Sequence, residues 1–215
     1  MKKRLTMAVL LGCAAWSAAG SGDAAAGGWV SLFDGTTLAG WKANESPGTW
    51  SVVDGAIAAR GPVSHLFYVG PGGEAQFDDF ELKVEVRTST NTNSGVFFRQ
   101  PWQDNGWLQR GMEAQVQNSG KSECYTGGLW IHAMRPEPSP VKDGEWFELH
   151  IVAAGGRITV KVNGETTVEY DLSQEERGFL KDRTRGFIAL QGHGPQHRPE
   201  FRNIRIRVLP RPAAE

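Results

Sequence analysis

Apolar and charged residues alternate with a period of two along much of this 215-residue chain, and this pattern limits the possible folds most strongly. The clearest case is residues 80–87, where Phe, Leu and Val alternate with Glu, Lys and Arg. Successive side chains of a β-strand point to opposite faces, so this segment predicts a strand with one buried face. Residues 158–162 and 204–208 repeat the pattern. We therefore predict an all-β, antiparallel protein.

Turn-forming dipeptides separate these segments at short intervals. Asn163-Gly164 lies between residues 157–162 and 165–170 and predicts a two-residue hairpin, because both residues tolerate the positive φ angles of the favoured turn. Many short strands joined by tight turns predict an antiparallel β-sandwich or jelly roll. Only Ser173 to Leu180 suggests a short helix, with Ser173 as its N-cap.

Residues 1–28 have the three-part pattern of a secretory signal peptide. Lys2-Lys3-Arg4 precedes an apolar run at 5–19, and small residues ending at Ala26 follow. The run is too short for a bilayer core of about 30 Å, and no later stretch reaches the ~20 apolar residues of a spanning helix. We therefore expect an exported protein that is periplasmic, secreted or lipid-anchored. Lipid anchoring would use Cys13 in the lipobox-like Leu10-Leu11-Gly12-Cys13, and the alternative is ordinary cleavage near Ala26.

The rest of the chain is predicted to form one domain over residues 29–209, with a frayed tail at 210–215. Removing Lys2, Lys3, Arg4 and Asp23 with the signal would change the formal charge from −1 to −3. A mildly acidic domain argues against nucleic acid or anionic lipid as a partner. After ordinary cleavage only Cys124 would remain, so no internal disulfide is expected. The sequence predicts no particular oligomeric state.

Residues 112–117 carry the most informative polar pattern of the chain. Met112, Ala114 and Val116 are predicted to face the core, and three polar residues then face the other way. Those three are Glu113, Gln115 and Gln117. An exposed sheet face usually carries Lys, Glu and Thr, and this one lacks Lys and Arg.

Three other segments offer compatible residues at alternate positions. They are Phe97 with Arg99, Trp130 with His132, and Gln191 with His193. Amides, imidazoles, a guanidinium and aromatic rings bind sugar hydroxyls and stack on sugar faces, so we predict a small glycoside or oligosaccharide as ligand. The alternative is that these residues lie on separate strands, with Trp130 filling a core gap and Glu113 pairing with Arg99.

Several kinds of enzyme are disfavoured by the same residues. Ordinary glycosidases use two carboxyl groups that flank the scissile bond, and the strand at 113–117 carries one. His132, His193 and His197 lack the close spacing of a zinc site, so no metal ligands are predicted. The sequence contains no nucleophile elbow and no dinucleotide or phosphate-binding fingerprint.

The order and spacing of ten short fragments resemble those of the 3-keto-disaccharide hydrolase domain family. The fragments occupy residues 32–41, 50–55, 79–82, 93–99, 113–116, 126–129, 144–146, 162–164, 191–194 and 201–206. The resemblance implies a concanavalin-like jelly roll with a concave ligand-binding sheet, and cleavage of glycosides oxidised to a ketone at C3. The chain departs from the family at Met112 and Trp130, where Tyr is frequent, and at Gly192, where Asp or Asn is frequent.

The activity that the resemblance implies suggests a role for each candidate. A ketone at C3 acidifies the C2 proton, so the group at C1 can leave by elimination before water adds. We expect His193 as base or acid, Glu113 as the complementary carboxyl group and Arg99 as stabiliser of the enolate. The expected substrate-binding residues are Gln115, Gln117, Trp130, His132 and Gln191. No cofactor is expected, although a divalent ion could replace Arg99 in polarising the ketone.

Two other functions are compatible with the same sequence. A non-catalytic carbohydrate-binding module could use the same fold and the same sheet face. An adhesion or scaffold domain of the cell envelope would instead need a large exposed apolar patch, for which the candidates are Trp102, Trp107 and Leu108. We expect their loop, between Gln100 and Gly111, to border the sugar site.

Overall fold

The computed structural model describes residues 28–173 and 185–210. The predicted signal peptide with Cys13, the predicted helix beyond Ser173 and the tail after residue 210 lie outside the described residues. In the described part the secondary structure is almost wholly β. Its elements are β1 (Val30–Ser31), β2 (Trp41–Ala43), a 3-10 helix (Pro47–Thr49), β3 (Trp50–Val53), β4 (Ala56–Ala59), β5 (Ser64–Tyr68), β6 (Phe80–Arg87), β7 (Ser94–Gln100), β8 (Met112–Val116), β9 (Phe147–Ala154), β10 (Arg157–Val162), β11 (Glu165–Asp171), β12 (Phe187–Gly192) and β13 (Glu200–Val208).

The strands form two antiparallel sheets. The larger sheet has the order β11-β10-β9-β6-β13-β4-β3, with β1 paired to β13, and the smaller has the order β2-β5-β12-β7-β8. One apolar core takes residues from both, such as Leu82 and Ile151 from the larger sheet and Val96 and Leu190 from the smaller. The prediction of an all-β antiparallel sandwich is confirmed. In the described ranges no helix is long and apolar enough to cross a membrane.

The period-2 pattern of residues 80–87 is confirmed in β6, where buried and partly exposed residues alternate along the whole strand. The hairpin at Asn163-Gly164 is confirmed as well. These two residues have φ angles of 50° and 87° and connect β10 to β11. Both φ angles are positive, as the favoured two-residue turn requires.

A bulge in β7 breaks the alternation that sequence parity assumed. Phe97 pairs with Ala189 and Gln100 pairs with Phe187, so Phe98 and Arg99 together lie opposite Ile188. Arg99 has a φ angle of 50°. An extra residue in one strand reverses the facing of the residues after it, so the expectation that Arg99 shares a face with Phe97 is wrong.

Candidate functional site

A cavity of about 330 Å³ lies on the outer face of the smaller sheet, over β7, β8 and β12. The loop that connects β7 to β8 borders it, as expected from the sequence, and contributes Trp107, Leu108 and Gln109. Its full lining is Asn93, Phe97, Trp107, Leu108, Gln109, Gly111, Glu113, Gln115, Trp130, Ile131, Gln191 and His193. Five of the eight predicted site residues therefore meet in one cavity.

Glu113 lies in the middle of β8 with its side chain on the cavity face. Gly95 of β7 makes room for it, because a Cβ at Gly95 would be 2.6 Å from Cγ of Glu113 and would overlap its carboxylate. Burial raises the pKa of Glu113 to about 8. A buried carboxyl group without a cationic partner favours its neutral form, so Glu113 carries a proton at neutral pH and can act as a general acid.

His193 follows β12 and lines the same cavity. Its ring centroid lies 4.6 Å from that of Trp107 and 4.7 Å from that of His197. Burial, with a further contribution from His197, lowers the pKa of His193 below its ordinary value. Its buried Nδ1 has no hydrogen-bond partner among the residues described. The imidazole is therefore neutral at pH 7 and able to accept a proton.

Hydrogen bonds fix the polar floor beside Glu113. The Nε2 group of Gln115 donates to Oδ1 of Asn93 at 2.9 Å, and the backbone N–H of Asn93 donates to Nδ1 of His197 at 2.9 Å. Gln191 is 4 % exposed, and within the described segments its Oε1 atom has no partner. The Gln191 amide can therefore bind a hydroxyl group of a ligand at Oε1 without first breaking a structural hydrogen bond of that atom.

His65 of β5 lies behind this floor and was not predicted. It pairs with Gln191 across the sheet, and its ring packs edge-on against Phe97 at 5.5 Å and Trp107 at 6.2 Å between centroids. It is fully buried, with neither ring nitrogen bonded in the residues described, and burial lowers its pKa to about 4. His65 is a neutral residue of the site's interior.

Trp130 and His132 do not share a face, so that expectation is wrong. Both lie in a turn closed by the bridge between Leu129 and Ala133, in which Ile131 has a φ angle of 59°. Strand parity does not apply in a turn. Trp130 is 39 % exposed and lines the cavity, whereas the ring of His132 lies 5.7 Å from that of Tyr170 on β11.

Arg99 and Gln117 also lie outside the first cavity. Arg99 is fully buried and reaches the start of β6 in the opposite sheet, where its guanidinium donates to the Asp78 backbone oxygen at 3.2 Å and to Asp79 Oδ1 at 3.0 Å. The predicted role of Arg99 as enolate stabiliser is not compatible with this position. Gln117 lines a neighbouring cavity that shares Asn93 and Trp130 with the first.

Gly192 stands where Asp or Asn is frequent in the family that the sequence resembles, and this difference does not affect the cavity directly. A Cβ at this position would lie 3.2 Å from Cγ2 of Thr49 and 3.3 Å from Cβ of Ala59, both away from the cavity lining. A polar side chain at position 192 would therefore point between the sheets rather than toward His193.

The loop between β7 and β8 covers part of the sheet with apolar side chains. Trp102 packs on Phe67 at 4.8 Å between ring centroids, and Leu108 is 9 % exposed. Leu108 belongs to a second apolar cluster on the outer face of the smaller sheet, and Trp102 packs against this cluster. These two residues are thus largely buried in the fold, whereas Trp107 is 46 % exposed beside His193.

A metal site would need several ligating side chains close together. Within residues 28–173 and 185–210 no group of three or more His, Cys, Asp or Glu side chains is arranged to hold a metal ion. His193 lines the cavity, and the neighbouring His197 accepts a hydrogen bond from the backbone N–H of Asn93.

Sequence comparison finds a family model that covers most of the chain. The model of the 3-keto-alpha-glucoside-1,2-lyase-like domain matches residues 28–207. A curated relative, the 3-keto-disaccharide hydrolase of Bacteroides thetaiotaomicron, is 27 % identical over 233 aligned positions, which cover 86 % of this chain and 79 % of the relative.

Solved structures share the fold. A protein of Parabacteroides distasonis with a provisional glycosyl hydrolase assignment has a TM-score of 0.68 at 27 % identity, covering 85 % of this chain and 100 % of the other. The carbohydrate-binding module CBM66 of Bacillus subtilis has a TM-score of 0.56 at 16 % identity, covering 77 % and 93 %. The second likeness concerns the sandwich alone and supports the jelly-roll assignment.

Proposed function

Since the chain belongs to the 3-keto-alpha-glucoside-1,2-lyase-like domain family, we propose that it cleaves glycosides carrying a ketone at C3 of the sugar. Family membership and the name of the Bacteroides relative both support action on carbohydrate. The observation that carries the finer proposal is the pair of opposite pKa shifts in one cavity. Burial keeps Glu113 protonated and His193 unprotonated at neutral pH. Titratable groups with such separated pKa values supply an acid and a base at the same pH.

The first step in this proposal is elimination. Neutral His193 removes the proton from C2, and the electron pair of that C–H bond forms an enolate with the C3 ketone. The enolate then collapses, a double bond forms between C1 and C2, and the bond from C1 to the glycosidic oxygen breaks. Protonated Glu113 donates its proton to this leaving oxygen.

Hydration completes a net hydrolysis. The carboxylate left on Glu113 takes a proton from water as the water oxygen bonds to C1 of the enone. The imidazolium of His193 returns a proton to C2, which restores both side chains to their starting states. The products are the free 3-keto sugar and the released alcohol, so one water molecule is consumed overall.

Enolate stabilisation in this scheme comes from amides, not from Arg99. Gln191 is buried on the cavity floor, and its Oε1 atom is unbonded within the described part of the chain. Its amide group can be oriented with either end toward a ligand, so its N–H groups can serve the oxygen at C3. Preorganised donors in a buried site stabilise a developing negative charge.

A reaction in deuterated water tests this mechanism. A methyl 3-keto-glucoside is incubated with the protein, and methanol release and deuterium at C2 of the product are followed by NMR. The proposal requires methanol release to slow when the substrate carries deuterium at C2, because that C–H bond breaks, and it requires no release from the unoxidised glucoside. Release with neither this isotope effect nor deuterium gained at C2 from the solvent would indicate direct hydrolysis and would overturn the elimination route.

Variants separate catalysis from simple binding. Glu113→Gln and His193→Ala should each lower kcat at least ~100-fold, the usual contribution of a general acid or base. Glu165→Gln, at an exposed position of β11, and His132→Ala, outside the cavity, are matched controls and should leave kcat within about twofold of wild type. Sugar binding without turnover, unaffected by Glu113→Gln, would instead favour a carbohydrate-binding module.

We also propose that the reaction takes place outside the cytoplasm, in the periplasm, at the membrane surface or in the medium. The support is the signal-like sequence of residues 1–28. Cell fractionation with metabolic lipid labelling tests it. A Cys13→Ala variant that loses the label would identify a lipid anchor, and retention of the unprocessed chain in the cytoplasm would refute export.

A further inference from the structure

Five of the seven buried side-chain polar atoms that lack a hydrogen-bond partner in the described residues belong to neighbouring parts of the smaller sheet. They are Nδ2 of Asn44, both ring nitrogens of His65, Oε1 of Gln191 and Nδ1 of His193. Asn44 follows β2, His65 lies on β5, and the other two lie at the end of β12, so the strand order places them side by side. Buried polar atoms in native proteins are almost always paired, so this group needs an explanation.

The Asn44 amide has its orientation fixed by the backbone. Its Oδ1 atom accepts a hydrogen bond from the backbone N–H of His65 at 2.8 Å, and its own backbone N–H donates to the His65 carbonyl oxygen at 3.0 Å. Because Oδ1 is engaged in this way, the Nδ2 group is a donor beside His65. Nothing among the residues described accepts a hydrogen bond from it.

The His65 ring can accept from this donor and can donate in turn. Burial lowers the pKa of His65 to about 4, so at pH 7 the neutral imidazole has one nitrogen that donates and one that accepts. Gln191 is its partner across the antiparallel pair of β5 and β12, and such partners have Cβ atoms about 4.5–5.5 Å apart. Rotation about side-chain bonds can therefore pair the imidazole with the Gln191 amide.

The Gln191 amide already has the orientation that this pairing needs. Its unpaired Oε1 atom is buried, whereas Nε2, which is also unbonded in the part of the chain described, is accessible from the cavity that Gln191 lines. A donor bound to Oε1 would hold the two Nε2 protons toward a ligand. Hydrogen bonds that follow one another in the same direction also polarise each other, which strengthens the last donor.

From this arrangement we infer that His65 is a positioning residue, which accepts a hydrogen bond from Asn44, donates one to Oε1 of Gln191 and so aims the Nε2 group of Gln191 at the substrate. The inference rests on the proposed function, because the target of Nε2 is the oxygen at C3 on which the enolate charge develops. His65 is fully buried and does not line the cavity, so it acts through Gln191. A donor fixed in advance stabilises that charge better than an amide that must first be oriented.

Kinetics of His65 variants test the inference. His65→Phe keeps an aromatic ring against Phe97 and Trp107 but has no hydrogen-bonding atom. It should lower kcat for methyl 3-keto-glucoside about tenfold, the effect of one lost hydrogen bond, and leave KM within about twofold of wild type. His65→Gln retains a donor and an acceptor and should restore kcat to within about threefold. An unchanged kcat in His65→Phe, or no recovery in His65→Gln, would overturn the inference.

A double-mutant cycle shows whether His65 acts through Gln191. Gln191→Leu removes the donor and should lower kcat about 100-fold, the usual effect of losing a donor to an oxyanion. His65→Phe should then add less than about twofold in the Gln191→Leu background, because no amide is left to orient. The full tenfold loss in both backgrounds would mean a merely structural role for His65 and would overturn the inference. His150→Phe is the matched control, since it removes another buried imidazole, from the larger sheet, and should leave kcat within about twofold.

Failure of the wild type to release methanol would refute the proposed function instead. The hydrogen bond between His65 and Gln191 is then tested in the ligand-free protein by nitrogen NMR of the imidazoles. Gln191→Leu should move the resonance of the donating nitrogen of His65, whereas Gln115→Leu, which alters another amide of the cavity, should not. A His65 resonance that is identical in wild type and Gln191→Leu would reject the hydrogen bond.

Discussion

The guanidinium of Arg99 and the carboxylate of Asp79 form an ion pair that links the two sheets, with Nη2 of Arg99 3.0 Å from Oδ1 of Asp79. The side chains are 0 % and 7 % exposed. The same Oδ1 atom accepts a hydrogen bond from the backbone N–H of Gly155 at 2.9 Å. Arg99 thus stabilises the contact between the two sheets, although it belongs to a strand that lines the cavity.

Arg99→Leu should therefore lower the free energy of unfolding by about 3–5 kcal/mol, because it leaves the Asp79 carboxylate buried without its cation. Chemical denaturation of wild type and variant measures this loss. The double variant Arg99→Leu/Asp79→Leu should recover part of the stability, since no unpaired charge remains. Catalysis per folded molecule should change less than about twofold. A 100-fold loss of kcat in folded Arg99→Leu would restore Arg99 to a catalytic role.

The sequence predicted the sheet faces well where strands are regular. Met112, Ala114 and Val116 are buried in the core, and Glu113 and Gln115 line the cavity, as the alternation in β8 requires. Prediction failed at Arg99 and His132, because the β7 bulge and the turn at Ile131 change the facing of single residues. Positive φ angles at residues such as Arg99 and Ile131, which lie outside turn-forming dipeptides, depend on tertiary packing, so local pattern does not reveal them.

The contribution of β5 to the site was beyond sequence reasoning for a related reason. His65 lies in the mostly apolar segment Ser64–Tyr68, and its pairing with Gln191 joins residues 126 positions apart. Asn93 is a site residue that the sequence could have predicted. It precedes Gly95 and Phe97 at the same two-residue spacing and so shares their face of the sheet. Strand order decides which distant segments meet, and one sequence does not give that order.

The pH dependence of kcat/KM should be bell-shaped. His193 must be unprotonated to act as base, so activity is lost as the pH falls through its pKa, which lies below the ordinary value of 6.5. Glu113 must be protonated to act as acid, so activity is lost as the pH rises through about 8. Initial rates from pH 4 to 10 at low substrate concentration measure both limbs. An alkaline limb that persists unchanged in Glu113→Gln would assign it to another group.

The stability of Glu113→Gln relative to wild type should increase with pH. Below the unfolded-state pKa of about 4.5 the carboxyl group is neutral in both states, and the two proteins should unfold similarly. Between about 4.5 and 8 the unfolded wild type releases a proton that the folded protein retains, so wild-type stability falls as the pH rises. The difference in unfolding free energy should reach up to ~4 kcal/mol near pH 8. Urea denaturation at pH 5 and pH 8 measures it, and a constant difference would show that Glu113 titrates normally.

Gly95→Ala should disable the site without a change in any titratable group. The added Cβ would overlap the carboxylate of Glu113 and lie 2.6 Å from its Cγ, so the Glu113 side chain or the β7 backbone must move. We expect a loss of at least ~100-fold in kcat, because a misplaced general acid no longer reaches the leaving oxygen, and a loss of about 1–3 kcal/mol in stability from overpacking. Gly72→Ala is the matched control, since a Cβ there meets no atom within 4 Å. Steady-state kinetics with methyl 3-keto-glucoside, together with thermal unfolding, measure both effects. Full activity in Gly95→Ala would mean that the position of the Glu113 carboxyl group does not matter to the reaction, and would remove Glu113 from the mechanism.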